Sequence, residues 1–254
     1  MTNHVIIPDT QVRPGDDTTY LTAIGNFLVK KQPDVIVQIG DFADMPSLSS
    51  YDVGKKSFEG RRYIKDIEAT HDAMQALVQP IQDYNERQRK NGKRQYKPQM
   101  VLTLGNHENR INRAVESDPK LEGVLDISDL AYEKFGWEVH DFLDVVTLDG
   151  VAYSHYFVTG VAGRPCTTAA AQLNKKHMSC IAGHQQGLQV AMGSRADGKR
   201  LLSIIAGSCY EYEADYMGPQ GNKHWRGIIV LHNVSDGEAS PMFVDLDWLK
   251  SKYA

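Results

Sequence analysis

Carboxylate, amide and imidazole side chains recur at one kind of place in this sequence: directly after a short apolar run. Asp9 follows Val5-Ile6-Ile7-Pro8, Asp41 follows Val35–Ile39 and Gly40, and Asn106-His107 follow Met100–Leu104 and Gly105. His155 closes the run that starts at Val151, and His184 comes after Ser179–Ala182 and Gly183. Runs of this kind ending at glycine or a turn residue read as strands, and the C-terminal edge of strands in an α/β sheet is where sites are built. The three side-chain types are the ligand set of hard and borderline divalent ions, and two carboxylates with two imidazoles could hold a pair of them. Taken singly, several members have plainer roles: Asp9 as a turn former, Gly40-Asp41 as a strand exit, His155 as a satisfied edge histidine. Gly105-Asn106-His107-Glu108 is more specific, because glycine permits a tight turn that sets an amide oxygen beside an imidazole at a helix start. Their order and shared edge make a metal site the chemical expectation.

The elements that must position these residues follow from periodicity. Helical spacing of Tyr20, Ile24, Phe27 and Leu28 predicts a helix over Asp17–Lys31, and a longer one covers roughly Arg61–Arg89, with a kink or break expected at Pro80. With the three strands before Asp9, Asp41 and Asn106, this makes a βαβαβ beginning. The second half is strand-rich: Trp137–His140, Val145–Leu148, Val151–His155, Ser179–Ala182, Leu188–Met192, Leu201–Ala206, Gly227–Asn233 and Pro241–Asp245, with a helix near Thr167–Lys176. Asp149-Gly150, Ala196-Asp197-Gly198 and Ser235-Asp236-Gly237 mark turns. So many strands exceed one open sheet, which predicts an α/β protein of two packed mixed sheets flanked by helices.

Composition narrows the class. The chain has 254 residues, within reach of a single domain over 1–254, and no linker composition divides it. With 41% hydrophobic and 24% charged residues and only strand-length apolar runs, membrane spans, collagen and bulk disorder are excluded. Lys+Arg 28 against Asp+Glu 32 gives a net charge of -4, so no global positive field draws in nucleic acid. Cys166, Cys180 and Cys209 are odd in number and widely spaced, and no signal-like segment precedes them, so a reduced, cytoplasmic setting is expected.

In order along the chain, Asp9-Thr10-Gln11, Gly40-Asp41, Gly105-Asn106-His107-Glu108, His155 and Gly183-His184-Gln185-Gln186 resemble the motifs of the calcineurin-like metallophosphoesterases. Those motifs are Asp-x-His, Gly-Asp, Gly-Asn-His-Asp/Glu, a lone His after a strand, and Gly-His-x-His. The resemblance runs from Asp9 to Gln186 and implies a four-layer αββα sandwich of two mixed β-sheets flanked by helices, with a dinuclear metal site at the strand ends. It assigns one metal to Asp9, Gln11, Asp41 and Gln186, and a second to Asp41, Asn106, His155 and His184, with Asp41 bridging. Gly40-Asp41-Phe42-Ala43-Asp44 also resembles the Gly-Asp-x-x-Asp stretch of the phosphoprotein phosphatase branch, which makes Asp44 the partner of His107. Gln11 and Gln186 stand where the family has histidine, and both departures fall on the same metal. An amide oxygen is harder and weaker than imidazole nitrogen, so the expected cofactor is two divalent ions, manganese first, with magnesium, zinc or nickel as alternatives.

The implied activity is phosphoester hydrolysis, phosphodiesterase or nuclease competing with phosphatase. Two ions would activate water for in-line attack on phosphorus, and His107, oriented by Asp44, would protonate the leaving oxygen. Met45 stands where the phosphatase branch has a phosphate-gripping arginine, leaving Arg110 and Arg164 as candidate substitutes. A basic loop (Lys55, Lys56, Arg61, Arg62) and a basic stretch (Arg87, Arg89, Lys90, Lys93, Arg94, Lys97, near Tyr84 and Tyr96) could track a nucleic-acid backbone or simply be solvated. Tyr210, Tyr212, Tyr216, His224 and Trp225 could stack on a base or sugar, or pack beneath a loop, with Gly218–Gly221 expected as loop. His4, His71, His140, His177 and His232 have no motif around them and read as structural. Two rival readings stand beside the dinuclear hydrolase: a scaffold that keeps the fold without catalysis, and a mononuclear hydrolase using the second metal alone.

Overall fold

The computed structural model describes residues 1–213 and 217–254, with position 57 given by its backbone only. Among the described residues eleven strands form two mixed sheets. The first has β1 (Thr2–Ile7), β2 (Val35–Gln38), β3 (Gln99–Thr103), β4 (Glu138–His140), β10 (Gly227–Ser235) and β11 (Glu238–Asp245), in the order β11-β10-β1-β2-β3-β4. Here β1 to β4 run parallel, while β10 and β11 are antiparallel additions at one side. The second sheet orders β5 (Val146–Leu148), β6 (Val151–Ser154), β7 (Cys180–Ala182), β9 (Arg200–Ala206) and β8 (Leu188–Ser194), with β6, β7 and β9 parallel.

The hydrophobic alternation of β1, β2 and β10 builds the layers. Ile6, Val35, Val37, Ile229 and Leu231 face Tyr153, Ile181, Leu202 and Ile204 of the second sheet in one buried cluster. On the other face, Val5, Ile7, Ile36, Leu102 and Ile228 meet helices α1 (Thr19–Lys31), α2 (Tyr63–Lys90) and α6 (Leu246–Tyr253). Helix α4 (Ala169–Lys176) covers the far side of the second sheet, where the Gln172 amide donates to the Cys180 carbonyl. Helix, sheet, sheet and helix thus succeed one another.

The expected break at Pro80 does not occur: α2 runs continuously through it. A proline there leaves the Ala76 carbonyl without its helical donor, and the Thr22 hydroxyl on α1 donates to it at 3.4 Å. Gly25 on α1 makes room for the approach, since a Cβ there would lie 2.4 Å from the Leu77 carbonyl oxygen. The segment expected as loop after position 217 is instead a single helical turn, α5 (Gly218–Gly221). Helix α3 (Arg110–Ser117) follows the helix start expected beside His107, its extent unread in the sequence, and α6 went unread altogether. The Asp149-Gly150 and Asp236-Gly237 turns are formed as expected, with positive φ at both residues of each, the geometry that a two-residue hairpin requires. They abut at the edge far from the candidate site, where the Gly237 N–H donates to the Asp149 carbonyl. Among the described residues no helix is long and apolar enough to cross a membrane, and all three cysteines are free and buried.

Candidate metal centre

The residues expected to ligate metal or to act in catalysis, and Arg110 with them, gather on the loops that leave the C-terminal ends of β1, β2, β3, β6 and β7, so both sheets feed one edge. Isolated bridges continue strand pairing into these loops, Val12 with Ala43 and Asp9 with Ser208. Glycines permit the approach: a Cβ on Gly105 would stand 2.1 Å from Asp41 Oδ1, on Gly183 2.4 Å from Asp9 Oδ1, and on Gly40 2.6 Å from His155 Nδ1. The loops are also held in an unfavourable backbone region, with positive φ at Gln11, Asp41, Met45 and His184. Strain of this kind costs about 1–3 kcal/mol per residue and persists where the surroundings enforce it.

Glu108 is what enforces much of it, and sequence reasoning had given it no role of its own. Its fully buried carboxylate accepts from the N–H groups of Asp41 (3.0 Å), Ala43 (2.8 Å) and Gly105 (2.8 Å), and from the Tyr132 hydroxyl (3.3 Å). Burial and the nearby Asp41 push its pKa up, against the pull of the donated N–H groups. One side chain therefore clips the loop after β2 to the turn after β3. The available signal was an acid in the polar turn Gly105-Asn106-His107-Glu108, three residues after the glycine.

Four electron-pair donors converge in this frame. His155 Nε2 lies 3.3 Å from Asp41 Oδ2 and 3.0 Å from Asn106 Oδ1, and His184 Nδ1 lies 2.7 Å from Asn106 Oδ1. Ligand atoms of Asp41, His155 and His184 all fall within 4.8 Å of one another. Donors bound to one divalent ion at about 2.1 Å stand roughly 3.0–3.4 Å apart, so the 3.3 and 3.0 Å spacings match the edges of a coordination polyhedron, while His184 Nδ1 and Asn106 Oδ1 stand at the shorter distance of a hydrogen bond. His155 Nδ1 donates to the Ile39 carbonyl at 3.0 Å, an outer contact that fixes the ring and turns Nε2 toward the cluster. Phe142 and Tyr156, unremarked in the sequence, shield the rings, with Tyr156 centred 4.8 Å from His184 and Phe142 6.2 Å from His155.

The electrostatics describe a place that wants positive charge. Burial and Asp41 push the Asp9 carboxyl up, whereas His107 and His155 overcome burial and hold Asp41 well below the usual carboxylate range. Burial opposes a charge on His155, but Asp41 and Asp9 prevail and raise it to about 9. Burial, then the neighbouring His155, lowers His184 to about 4. A proton on His155 thus occupies the space between Asp41 and Asn106 that a cation would fill.

Beside this cluster, His107 Nδ1 meets Asp44 Oδ1 at 2.6 Å, and its backbone N–H donates to Asp41 Oδ1 at 2.9 Å. Burial depresses the His107 pKa, but Asp41 and Asp44 more than offset it and the net shift is upward. Arg110 Nη1 donates to the Asp44 carbonyl at 2.8 Å, while Nη2 lies 3.2 Å from His107 Nε2. Its guanidinium thus lies against the backbone where Met45 replaces the expected arginine.

The remaining candidates divide. Asp9, Gln11 and Gln186 reach the same edge: Gln186 Nε2 donates to Asp9 Oδ2 at 3.0 Å, and the Tyr212 hydroxyl donates to Gln11 Oε1 at 2.9 Å. Arg164 does not join them; it is exposed on the loop after β6, and its carbonyl accepts from the Thr159 N–H. Tyr210 is buried and stacked on Tyr212, 4.3 Å between ring centres, so these rings pack together beneath the segment. Tyr216 lies outside the described residues. Of the basic segments, Arg61 and Arg62 border a cavity of about 340 Å³ with Arg13 and Pro46, near the Asp44 loop. Lys93, Arg94 and Lys97 precede β3 and so sit at the opposite edge.

No protein-family model matches the chain. It is similar to the Gene 54 protein of Mycobacterium phage D29, 35% identical over 79 residues, and that match spans 31% of either chain. It is also similar to the Gene 54 protein of Mycobacterium phage L5, 24% identical over 251 residues, which takes in 95% of this chain and 92% of that one.

Proposed function

We propose that this chain is a metal-dependent phosphoester hydrolase of the calcineurin-like metallophosphoesterase kind. The observation that carries the reading is the meeting of Asp41, Asn106, His155 and His184 beside a His107–Asp44 pair, at one edge of two mixed sheets. Three of those four groups would face each other with lone pairs unless a proton or a cation stood among them, and a divalent ion suits all four. Such an ion, when bound, supplies Lewis acidity toward a phosphoryl oxygen and a water of lowered pKa.

The chain's own residues then have separate tasks. Asp44 holds the Nδ1 proton of His107, which leaves Nε2 facing the site, 3.7 Å from Asp41 Oδ2. The upward shift of the His107 pKa, set by Asp41 and Asp44 against burial, favours the proton on that nitrogen that the leaving oxygen would take. Arg110 cannot donate to Nε2 once it is protonated, so its Nη2 is released toward a phosphoryl oxygen while Nη1 stays anchored on the Asp44 carbonyl. A general acid held by its own carboxylate has no use in a mere scaffold, which favours the enzyme over a binding module. The cavity next to the Asp44 loop, where Arg13, Arg61, Arg62 and Lys65 alternate with Asp16, Glu59 and Asp66, leaves room for a substrate that extends past its phosphate, hence a phosphodiester.

Metal-stripped protein resupplied with manganese, magnesium, zinc or nickel tests the proposal. Hydrolysis of bis-(p-nitrophenyl) phosphate that exceeds hydrolysis of p-nitrophenyl phosphate, and that disappears in Asp41→Asn, is the expected result. Absence of turnover with every ion would refute it.

A further inference from the structure

We infer that the chain holds one divalent ion, at Asp41, Asn106, His155 and His184, and that the Gln186 side-chain amide takes the place of a second ion beside Asp9. The inference rests on the metal-centre reading above and goes beyond it by assigning the neighbouring position to the protein itself.

Around that position Asp9 and Gln186 are hydrogen-bonded to each other and Gln11 to Tyr212, while Gln186 Oε1 is buried without a hydrogen-bond partner. Asp9 is fully buried, and both its oxygens accept N–H groups: Oδ1 from the His184 backbone at 3.1 Å, Oδ2 from Gln186 Nε2 at 3.0 Å. Gln186 Nε2 also lies 3.5 Å from the His184 carbonyl. Two acceptors facing one amide nitrogen set its orientation, because the reverse orientation would bring oxygen against oxygen at both contacts. The group that Gln186 presents to Asp9 is therefore a donor, which cannot ligate a cation.

Gln11 is engaged in a different way, through one of the two lone pairs of its amide oxygen. Its Oε1, the one atom of its side chain able to bind an ion, accepts the Tyr212 hydroxyl at 2.9 Å. Tyr212 is itself fixed, with Tyr210 stacked on one side at an interplanar angle of 16° and the Arg13 guanidinium 3.2 Å from its ring centre. The tyrosine thus closes the position with a hydroxyl that matches an amide oxygen. An imidazole at 11 or 186 could instead turn a bare nitrogen lone pair to an ion, so the two glutamines act together. Amide N–H dipoles supply in part the positive potential that the Asp9 carboxylate lacks, and they keep the loops after β1 and β7 joined without metal.

Counting ions in the full chain tests this. Protein loaded with manganese and freed of excess by gel filtration should carry one ion per chain by elemental analysis, with the electron paramagnetic resonance pattern of an isolated ion. The Gln11→His, Gln186→His double variant should carry two, with the spectrum broadened by coupling between them. Two coupled ions in the wild-type chain would overturn the inference and leave the metal-centre reading standing. No bound ion would overturn both. Should the double variant fail to fold, the wild-type count decides alone.

Discussion

Glu108→Gln removes one charge and keeps the shape of the side chain that joins the loops after β2 and β3. The glutamine oxygen can face the N–H groups of Asp41 and Gly105, which the carboxylate holds at 3.0 and 2.8 Å. Its amide nitrogen then points at the Ala43 N–H, now held at 2.8 Å, and that donor is left buried without an acceptor. An orphaned buried donor costs about 1–3 kcal/mol, and exchanging charged for neutral acceptors at two further bonds costs about 1 kcal/mol more. Relief of a buried charge, whose pKa burial already raises, returns part of this. The expected net loss is about 2–3 kcal/mol in urea unfolding of the metal-free protein. The loop that carries Asp41 is loosened in the same stroke, because Ala43 is released and a neutral oxygen now accepts the Asp41 N–H, so manganese affinity by titration calorimetry should fall roughly 10–100-fold, as is usual when outer contacts of metal sites are removed. Tyr132→Phe removes only the 3.3 Å contact and serves as the control, with a loss below about 1 kcal/mol. A Glu108→Gln protein within about 0.5 kcal/mol of wild type, with unchanged affinity, would refute the reasoning.

Three further outcomes follow from the same geometry. Asp44→Asn should slow hydrolysis of esters with poor leaving groups by roughly 100-fold and spare p-nitrophenyl esters. Because Asp44 helps raise the His107 pKa, and activity needs the protonated form, the alkaline limb of the pH–rate profile should move to lower pH in that variant. Metal binding must displace the proton that His155 holds up to about pH 9, so affinity should rise about tenfold per pH unit as pH increases toward that value. Calorimetry in buffers of differing ionisation enthalpy should count one proton released per ion at neutral pH, and a flat profile with none released would contradict the His155 assignment. Gly25→Ala drives a Cβ to 2.4 Å from the Leu77 carbonyl and should cost about 1–3 kcal/mol in thermal or urea unfolding while leaving metal affinity intact.

What the sequence could disclose depended on how local the cause was. Strands ending in Gly40-Asp41, Gly105-Asn106 or Gly183-His184 announce themselves because β-branched runs and tight turns are properties of adjacent residues. The Asp44–His107 contact was also accessible, through the family resemblance. Pro80 misled because its cost is set by a neighbour fifty-eight positions away: the Thr22 hydroxyl satisfies the Ala76 carbonyl, and Gly25 yields space. The restraint that Glu108 imposes, and the Tyr212 hydroxyl on Gln11, join segments 65 and 201 positions apart. Neither contact has a local pattern to betray it. Arg110 and Arg164 were equal candidates by residue type alone, and only the start of α3 beside Asp44 separates them.

The most direct test of the metal centre is anomalous diffraction from crystals soaked in manganese, recorded near the manganese absorption edge. One strong peak should lie about 2.0–2.4 Å from Asp41 Oδ2, Asn106 Oδ1, His155 Nε2 and His184 Nδ1 together. A soaked crystal with no anomalous density among those four atoms would contradict the account.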